Sequence, residues 1–514
     1  NDSSFVMNGG TINAGWPAGA TNGTTTTTSG TYGSNAKITI NNGVLTSSSD
    51  YAIYAPAAGG ITTINGGSIT GYWGAIQVRN GTLNIKDGTL VNNGVSGVTK
   101  PEDQTDGTTP DNATAISLSS DYGPINATIS GGKITTQNEN AAVVATTKKS
   151  NTINLSITGG TFSSDVSKFL DDDSIITEQE NGSFVVEPLT AANAVASIGN
   201  TYYKTLADAV AAVKDGGTVK MLKNASGAGI GTFKGDPKYG VKNFTIDFGG
   251  FTYTCTGPAV GSTGTESQAF HLEWTGGGSD NANVTLKNGN ITSTADSGVR
   301  MLVQNYCNLT LEDMKLNGTN IGAGQYTMSN NCGQVNITGN TSITAPTNGF
   351  AFDACWAPNN GYPDGAQVTV NTTGVISGKV EFGLWGAMSE DAVKTKLNIQ
   401  NGIFNGSIVV ATKLAEAAET NLTITGGTFS SEPNTAYLAE GYDVYSVNDK
   451  YVVSSAITGL TLNQTSASLY SNTTPNTVQL TATLTPDDAS SDAITWTSSN
   501  TAVATVSNTG FVTA

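Results

Sequence analysis

A short unit of apolar, x, apolar, x, x, Gly, x, apolar recurs along the chain. It reads Ile38-Thr39-Ile40-Asn41-Asn42-Gly43-Val44-Leu45, then Leu83-Asn84-Ile85-Lys86-Asp87-Gly88-Thr89-Leu90, and again around Gly67, Gly132 and Gly160. Period-two alternation on both sides of a turn predicts two short strands, each with one buried face. Measured at the turn glycine, units from Gly10 to Gly160 lie 33, 24, 21, 44 and 28 residues apart. A third apolar piece, as at 51–54, 75–78 and 142–145, falls between turns. Two or three strands per unit bury nothing alone, so the units must stack into a parallel β-solenoid.

The longest gap in this first half holds the polar run 99–111, which reads as a loop protruding from a rung. The pattern resumes in the second half, with turns at Asn224, Gly249, Gly289, Met314, Asn340, Thr373, Gly402 and Gly427. Gly-rich insertions interrupt it at 258–268 and 275–282, and another insertion covers 357–365. Between the halves, Thr205-Leu206-Ala207-Asp208-Ala209-Val210 leads to Asp215-Gly216-Gly217. A Thr N-cap, an acidic residue three positions on, an apolar stripe and a Gly stop predict a short amphipathic helix. Such a helix would plug a solenoid end, which otherwise exposes apolar core and unpaired strand edges.

The segment 202–210 followed by 215–222 resembles the start of β-helix modules in large surface proteins of gut Gram-positive bacteria. Gly159-Gly160-Thr161-Phe162-Ser163-Ser164 and Gly426-Gly427-Thr428-Phe429-Ser430-Ser431 resemble the ends of such modules. The resemblance implies an all-β chain with two tandem right-handed parallel β-helix modules. Residues 1–187 would be the C-terminal part of the first, 188–217 a linker and capping helix, and 218–453 the second.

From Ile457 the alternation tightens. Residues 460–462, 467–469, 478–484, 494–496 and 503–506 alternate between turns spaced as in a small β-sandwich, with Trp496 as the expected core anchor. The stretches 478–486, 494–500, 502–506 and 510–514 resemble the bacterial Ig-like domain of group 2, implying that 456–514 is such a domain in an extracellular, secreted or cell-wall-attached protein. Members usually continue into a further strand, so a truncated domain and a longer natural chain are expected. The same expectation covers the N-terminus, where no secretory leader precedes Asn1.

Charge narrows the partners. With 23 basic and 40 acidic residues among 514 and no basic run, nucleic acid and anionic membrane surfaces are poor partners. No apolar stretch is long enough to cross a membrane as a helix, so membrane insertion is not expected. No Cys or His spacing fits zinc, and Asp171-Asp172-Asp173 lacks a calcium-loop context, so neither metal nor cofactor is expected. Cys307, Cys332 and Cys355 occupy what read as matching places in successive rungs, giving a thiol stack or one disulfide. His271 is the only histidine, and alternation with Phe270 and Leu272 predicts that it is exposed.

The remaining chemistry concentrates between 353 and 390. Asp353, Asp364, Glu381 and Glu390 lie near Trp356, Tyr362 and Trp385, with Asp353 and Glu381 on neighbouring rungs. As ligand-binding candidates, Asp353, Trp356, Tyr362, Asp364, Glu381 and Trp385 fit a glycan, a mucin or another glycoprotein, or an immunoglobulin. The expected role is an adhesin-like, monomeric fragment of a cell-surface protein rather than an enzyme. A structural spacer is one alternative. A polysaccharide lyase or glycoside hydrolase using Asp353 and Glu381 is the other, though Lys379 alone supplies a positive charge in this stretch.

Overall fold

The computed structural model describes residues 3–21, 34–94, 114–137, 141–232, 243–262, 264–273, 282–331, 333–357, 365–486 and 494–514. The 99–111 loop therefore lies outside the described residues, as do most of the insertions at 275–282 and 357–365. The chain divides into two compact units, Asn1–Asn193 and Ala194–Ala514.

In the first unit, strands from successive repeats pair in parallel, each with the equivalent strand of the repeats before and after it. Register follows the alternation. Met7, Ile40, Ile64, Ile85, Ile129 and Ile157 form one column. Leu45, Ile69, Leu90, Ile134 and Phe162 form a second across the turn. Both columns are buried, and each such side chain contributes roughly 1.5–3 kcal/mol when withdrawn from water. The turn between them demands glycine: at Gly67 φ is +89°, and a Cβ there would stand 2.8 Å from the Gly43 carbonyl of the rung beneath. A separate parallel sheet collects the third pieces, from Gly19–Ala20 to Val143–Thr146. The last parallel strand, Ile153–Phe162, is closed by an antiparallel hairpin of Ser174–Glu178 and Phe184–Pro188.

The second unit opens with the hairpin Ala196–Ile198 and Thr201–Tyr203, which pairs antiparallel with Gly217–Met221. Between them runs helix α1 (Leu206–Ala212). The Thr205 hydroxyl accepts from the Asp208 amide at 3.0 Å and donates to its carboxylate at 2.6 Å. Leu206, Ala209 and Val210 on its buried face join the core. Parallel stacking then carries the column Val219, Ile246, Leu286, Leu311, Ile337, Val370, Ile399 and Ile424 through the unit. The antiparallel hairpin Tyr442–Val447 and Lys450–Ser455 covers its far edge.

A further parallel sheet in this unit includes β1 (Gln268–Leu272), β2 (Met301–Asn305), β3 (Tyr326–Asn331), β4 (Phe350–Trp356) and β5 (Lys379–Leu384), adjacent in that order. Phe270, Val303, Met328, Phe352 and Val380 form its core-facing column.

In the C-terminal segment, Gly459–Leu462 pairs antiparallel with Ala482–Thr485, and Phe511–Thr513 pairs with Thr477–Gln479 and Thr505–Val506. The predicted strands at 467–469 and 494–496 do not form, and 478–484 splits between two sheets. Alternation sorts side chains to two faces, but a strand also needs a partner backbone. Trp496 is half-buried rather than the anchor of a closed core.

Candidate functional site

The face of β1 to β5 opposite the core carries a polar column. His271, Gln304, Ser329, Asp353 and Glu381 stand in register on five consecutive strands. Strand period two puts all five on one face once Phe270 and its column point inward. This face is covered as well. His271, Ser329 and Asp353 are buried, which corrects the expected exposure of His271. Its Nδ1 lies 3.1 Å from Gln304 Oε1, and its ring packs 5.5 Å from that of Tyr306. Alternation alone cannot show that both faces of a strand are covered.

Asp353 is hydrogen-bonded on both carboxyl oxygens. Asn330 N–H donates to its Oδ1 at 2.6 Å, while its Oδ2 lies 2.8 Å from Ser329 Oγ. That same Oγ lies 3.0 Å from Asn331 Oδ1, and Asn331 Nδ2 donates to the Tyr306 hydroxyl at 3.2 Å. Ser329 has one hydroxyl proton for two acceptors. The Ser329 hydroxyl donates to Asp353 and is shared with Asn331. Burial pushes the carboxyl up, with the Glu381 charge adding to it, against the bonds from Ser329 and Asn330. Together they push it up to about 7.

On the next strand, Glu381 accepts from the Tyr326 hydroxyl at 2.6 Å. Burial, reinforced by that bond, pushes the Tyr326 phenol up. Stacking on Phe350, at 4.5 Å between centroids and 11° between planes, holds the Tyr326 ring.

These groups line a cleft of about 420 Å³ together with Gln304, Tyr306 and Trp385. No lysine or arginine is among its described lining residues. Trp385 is 70% exposed, an unusual cost for a large apolar ring, and its backbone N–H donates to the Trp356 carbonyl at 2.9 Å. The cleft thus sets planar hydrogen-bonding carboxyls and amides beside flat aromatic rings.

The structure thus brings Asp353, Glu381 and Trp385 together. Trp356 lies beside them but is buried, packed with Ala357 and Ala392. Tyr362 and Asp364 lie outside the described residues. Glu390 is exposed and does not line the cleft. Sequence reasoning missed Tyr306, Tyr326, Gln304 and Ser329; their equivalent rung positions were the available signal.

The cysteines do not share a column. Asn305, Asn330 and Ala354 are in register, which places Cys355 one residue beyond that column and Cys307 two. Cys307 sits in the turn after β2 and packs into the core, whereas Cys355 lies on the cleft wall. Both are buried, as is Cys255, while Cys332 lies outside the described residues. What stacks is asparagine, also missed from sequence: Asn305 Nδ2 donates to Asn330 Oδ1 at 2.9 Å and to Cys307 O at 2.8 Å, and Asn330 Nδ2 donates to Gly333 O at 2.7 Å. A Cβ at Gly333 would come within 2.3 Å of the Asn305 amide nitrogen, so this contact requires glycine.

In the first unit the corresponding sheet carries Tyr54, Gln77 and Ser117 in register. Beside it Arg79 pairs with Asp121 at 3.0 Å and lies 4.0 Å from the centre of the Tyr122 ring. Asp171 and its neighbours sit at the turn into Ser174–Glu178, where Asp171 accepts from the Ser156 hydroxyl. No group of three potential metal ligands occurs among the described residues.

Comparison with known proteins identifies the C-terminal segment. Residues 456–514 match the family of bacterial Ig-like domains, group 2. Such domains occur in bacterial surface proteins, which is compatible with a surface or adhesin-like role. No curated protein and no solved structure matches the chain. No helix among the described residues is long and apolar enough to cross a membrane.

Proposed function

We propose that this is an extracellular, adhesin-like surface protein, secreted or wall-attached, whose second unit binds a glycan or glycoprotein glycan in the Asp353–Glu381 cleft. In this reading the two units are tandem β-helix modules, and the Ig-like domain is part of a stalk. The observation that carries it is Trp385, 70% exposed on a cleft already furnished with Tyr306, Tyr326, carboxyls and Gln304. A pure spacer has no use for such a ring. Immunoglobulin is a poorer fit, because a standard protein interface buries about 800 Å² per partner and the cleft is a narrow feature.

A glycan array probed with the whole chain and with Trp385→Ala tests this. Loss of one stacking ring is expected to weaken retention by at least about tenfold, a cost near 1.4 kcal/mol. Equal retention by both proteins would contradict the site.

Polysaccharide cleavage is the second reading, favoured by two carboxyls in register on adjacent strands, Asp353 raised by burial and Glu381 beside it. Against it, Asp353 is buried and both its oxygens are already taken by the Ser329 hydroxyl and the Asn330 amide. Product analysis after prolonged incubation with the retained glycans decides: new reducing ends that vanish in Glu381→Gln establish cleavage, and intact glycans exclude it.

A further inference from the structure

The described residues that line the cleft include carboxyl groups and no basic side chain, and this constrains what enters. Glu381 lines it and takes its hydrogen bond from neutral Tyr326, so its charge is not neutralised by a cation. Asp353 lies on the adjacent strand, in register. Lys379 donates to the Asn348 carbonyl and Lys413 to the Gly386 carbonyl, each at 3.4 Å, and neither lines the cleft. An anionic sugar group entering here loses water, gains no counter-ion and meets a like charge. Each of these opposes binding.

We infer that the cleft selects glycans whose bound sugar carries no acidic group, and rejects sialic acid, uronate and sulfated sugars. This rests on the glycan-binding reading above and names its substrate class. Neutral hexoses and N-acetylhexosamines present hydroxyl and amide donors to Glu381 and Gln304 and an apolar face to Trp385, with no charge to desolvate.

The test uses the whole chain on matched pairs: desialylated against sialylated lactosamine glycans, arabinoxylan against glucuronoxylan, and galactan against polygalacturonate. The expected result is retention of at least one neutral member with its acidic partner bound at least about 100-fold more weakly. Glu381→Gln, which keeps the shape and removes the charge, narrows that gap. Raising salt in the unmutated protein narrows it as well, without dependence on a variant's folding. Equal or tighter binding of the acidic partners, or a gap unmoved by both Glu381→Gln and salt, overturns the inference while leaving glycan binding intact. Retention of no glycan at all overturns both readings.

Discussion

At the scale of single residues, the acid–base state of Asp353 has a measurable consequence. Its folded pKa, near 7, is above the ordinary carboxylate value, because burial removes water from the charged form and Glu381 repels it. The unfolded chain therefore loses this proton near pH 4 and the folded chain only near pH 7. Stability is unaffected below pH 4, falls as pH rises from 4 to 7, and bears the full penalty above 7. Asparagine mimics the protonated acid: its amide donates to Ser329 and its carbonyl accepts from Asn330. Asp353→Asn is thus expected to raise the thermal midpoint at pH 8, by roughly 2–4 kcal/mol of stability, and to have little effect at pH 4. A variant destabilised at pH 8 would show that the carboxylate form is the one the site favours. Tyr326, Tyr306, His271, Glu273, Lys379, Glu381 and Cys355 are the other titratable groups on this face.

The thiols give a second prediction at this scale. Burial pushes Cys307 up and seals it in the core, so a thiol reagent is expected to leave it unlabelled in the native protein and to modify it after denaturation. Rapid native labelling of Cys307 would contradict its placement.

At the scale of elements, stability comes from columns. Removing Asn330 by Asn330→Ala takes the acceptor from Asn305 and the donor from the Gly333 carbonyl, leaving buried groups unpaired at about 1–3 kcal/mol each. Ile337→Ala empties a site between Leu311 and Val370 and is expected to cost about 2–5 kcal/mol. Denaturant titration should rank both well above an exposed substitution such as Lys315→Ala, and indistinguishable midpoints would contradict the column account.

These columns were legible because alternation and turn spacing report which residues point inward and how far apart the rungs fall. Thr205 and Asp208 announced the helix start for a similar reason, since a cap is a local interaction. What was not legible depends on contacts between rungs. His271 reads as exposed because nothing local reveals a second covered face. Cys307 and Cys355 read as equivalent because spacings of 25 and 23 residues conceal a one-residue offset, which puts Cys307 in the turn after β2 and Cys355 on β4. Asp353 and Glu381 were visible as a pair on neighbouring rungs. Tyr306, Tyr326 and Ser329 were not, being unremarkable polar or aromatic positions until stacking placed them on the same wall. In the Ig-like segment, family-level similarity was readable over 456–514, whereas 494–496 failed as a strand because pattern does not supply a partner.

At the scale of the whole molecule, each unit has its own core, one drawn from Met7 to Val186 and the other from Ala196 to Val453. Stacked repeats contact chiefly their neighbours, so the units are expected to unfold as separate transitions. Two calorimetric transitions, only the later-sequence one shifted by Ile337→Ala, would agree; a single transition moved as a whole by that substitution would not. The proposed glycan binding belongs to the second unit alone.

The most direct test of that claim is amide hydrogen exchange on the whole chain, with and without a neutral glycan retained on the array. The account predicts slowed exchange in β2 to β5 and around Trp385, with 4–162 and 456–514 unchanged. Protection confined to either of those outer regions, or its persistence at full strength in Trp385→Ala, would contradict it.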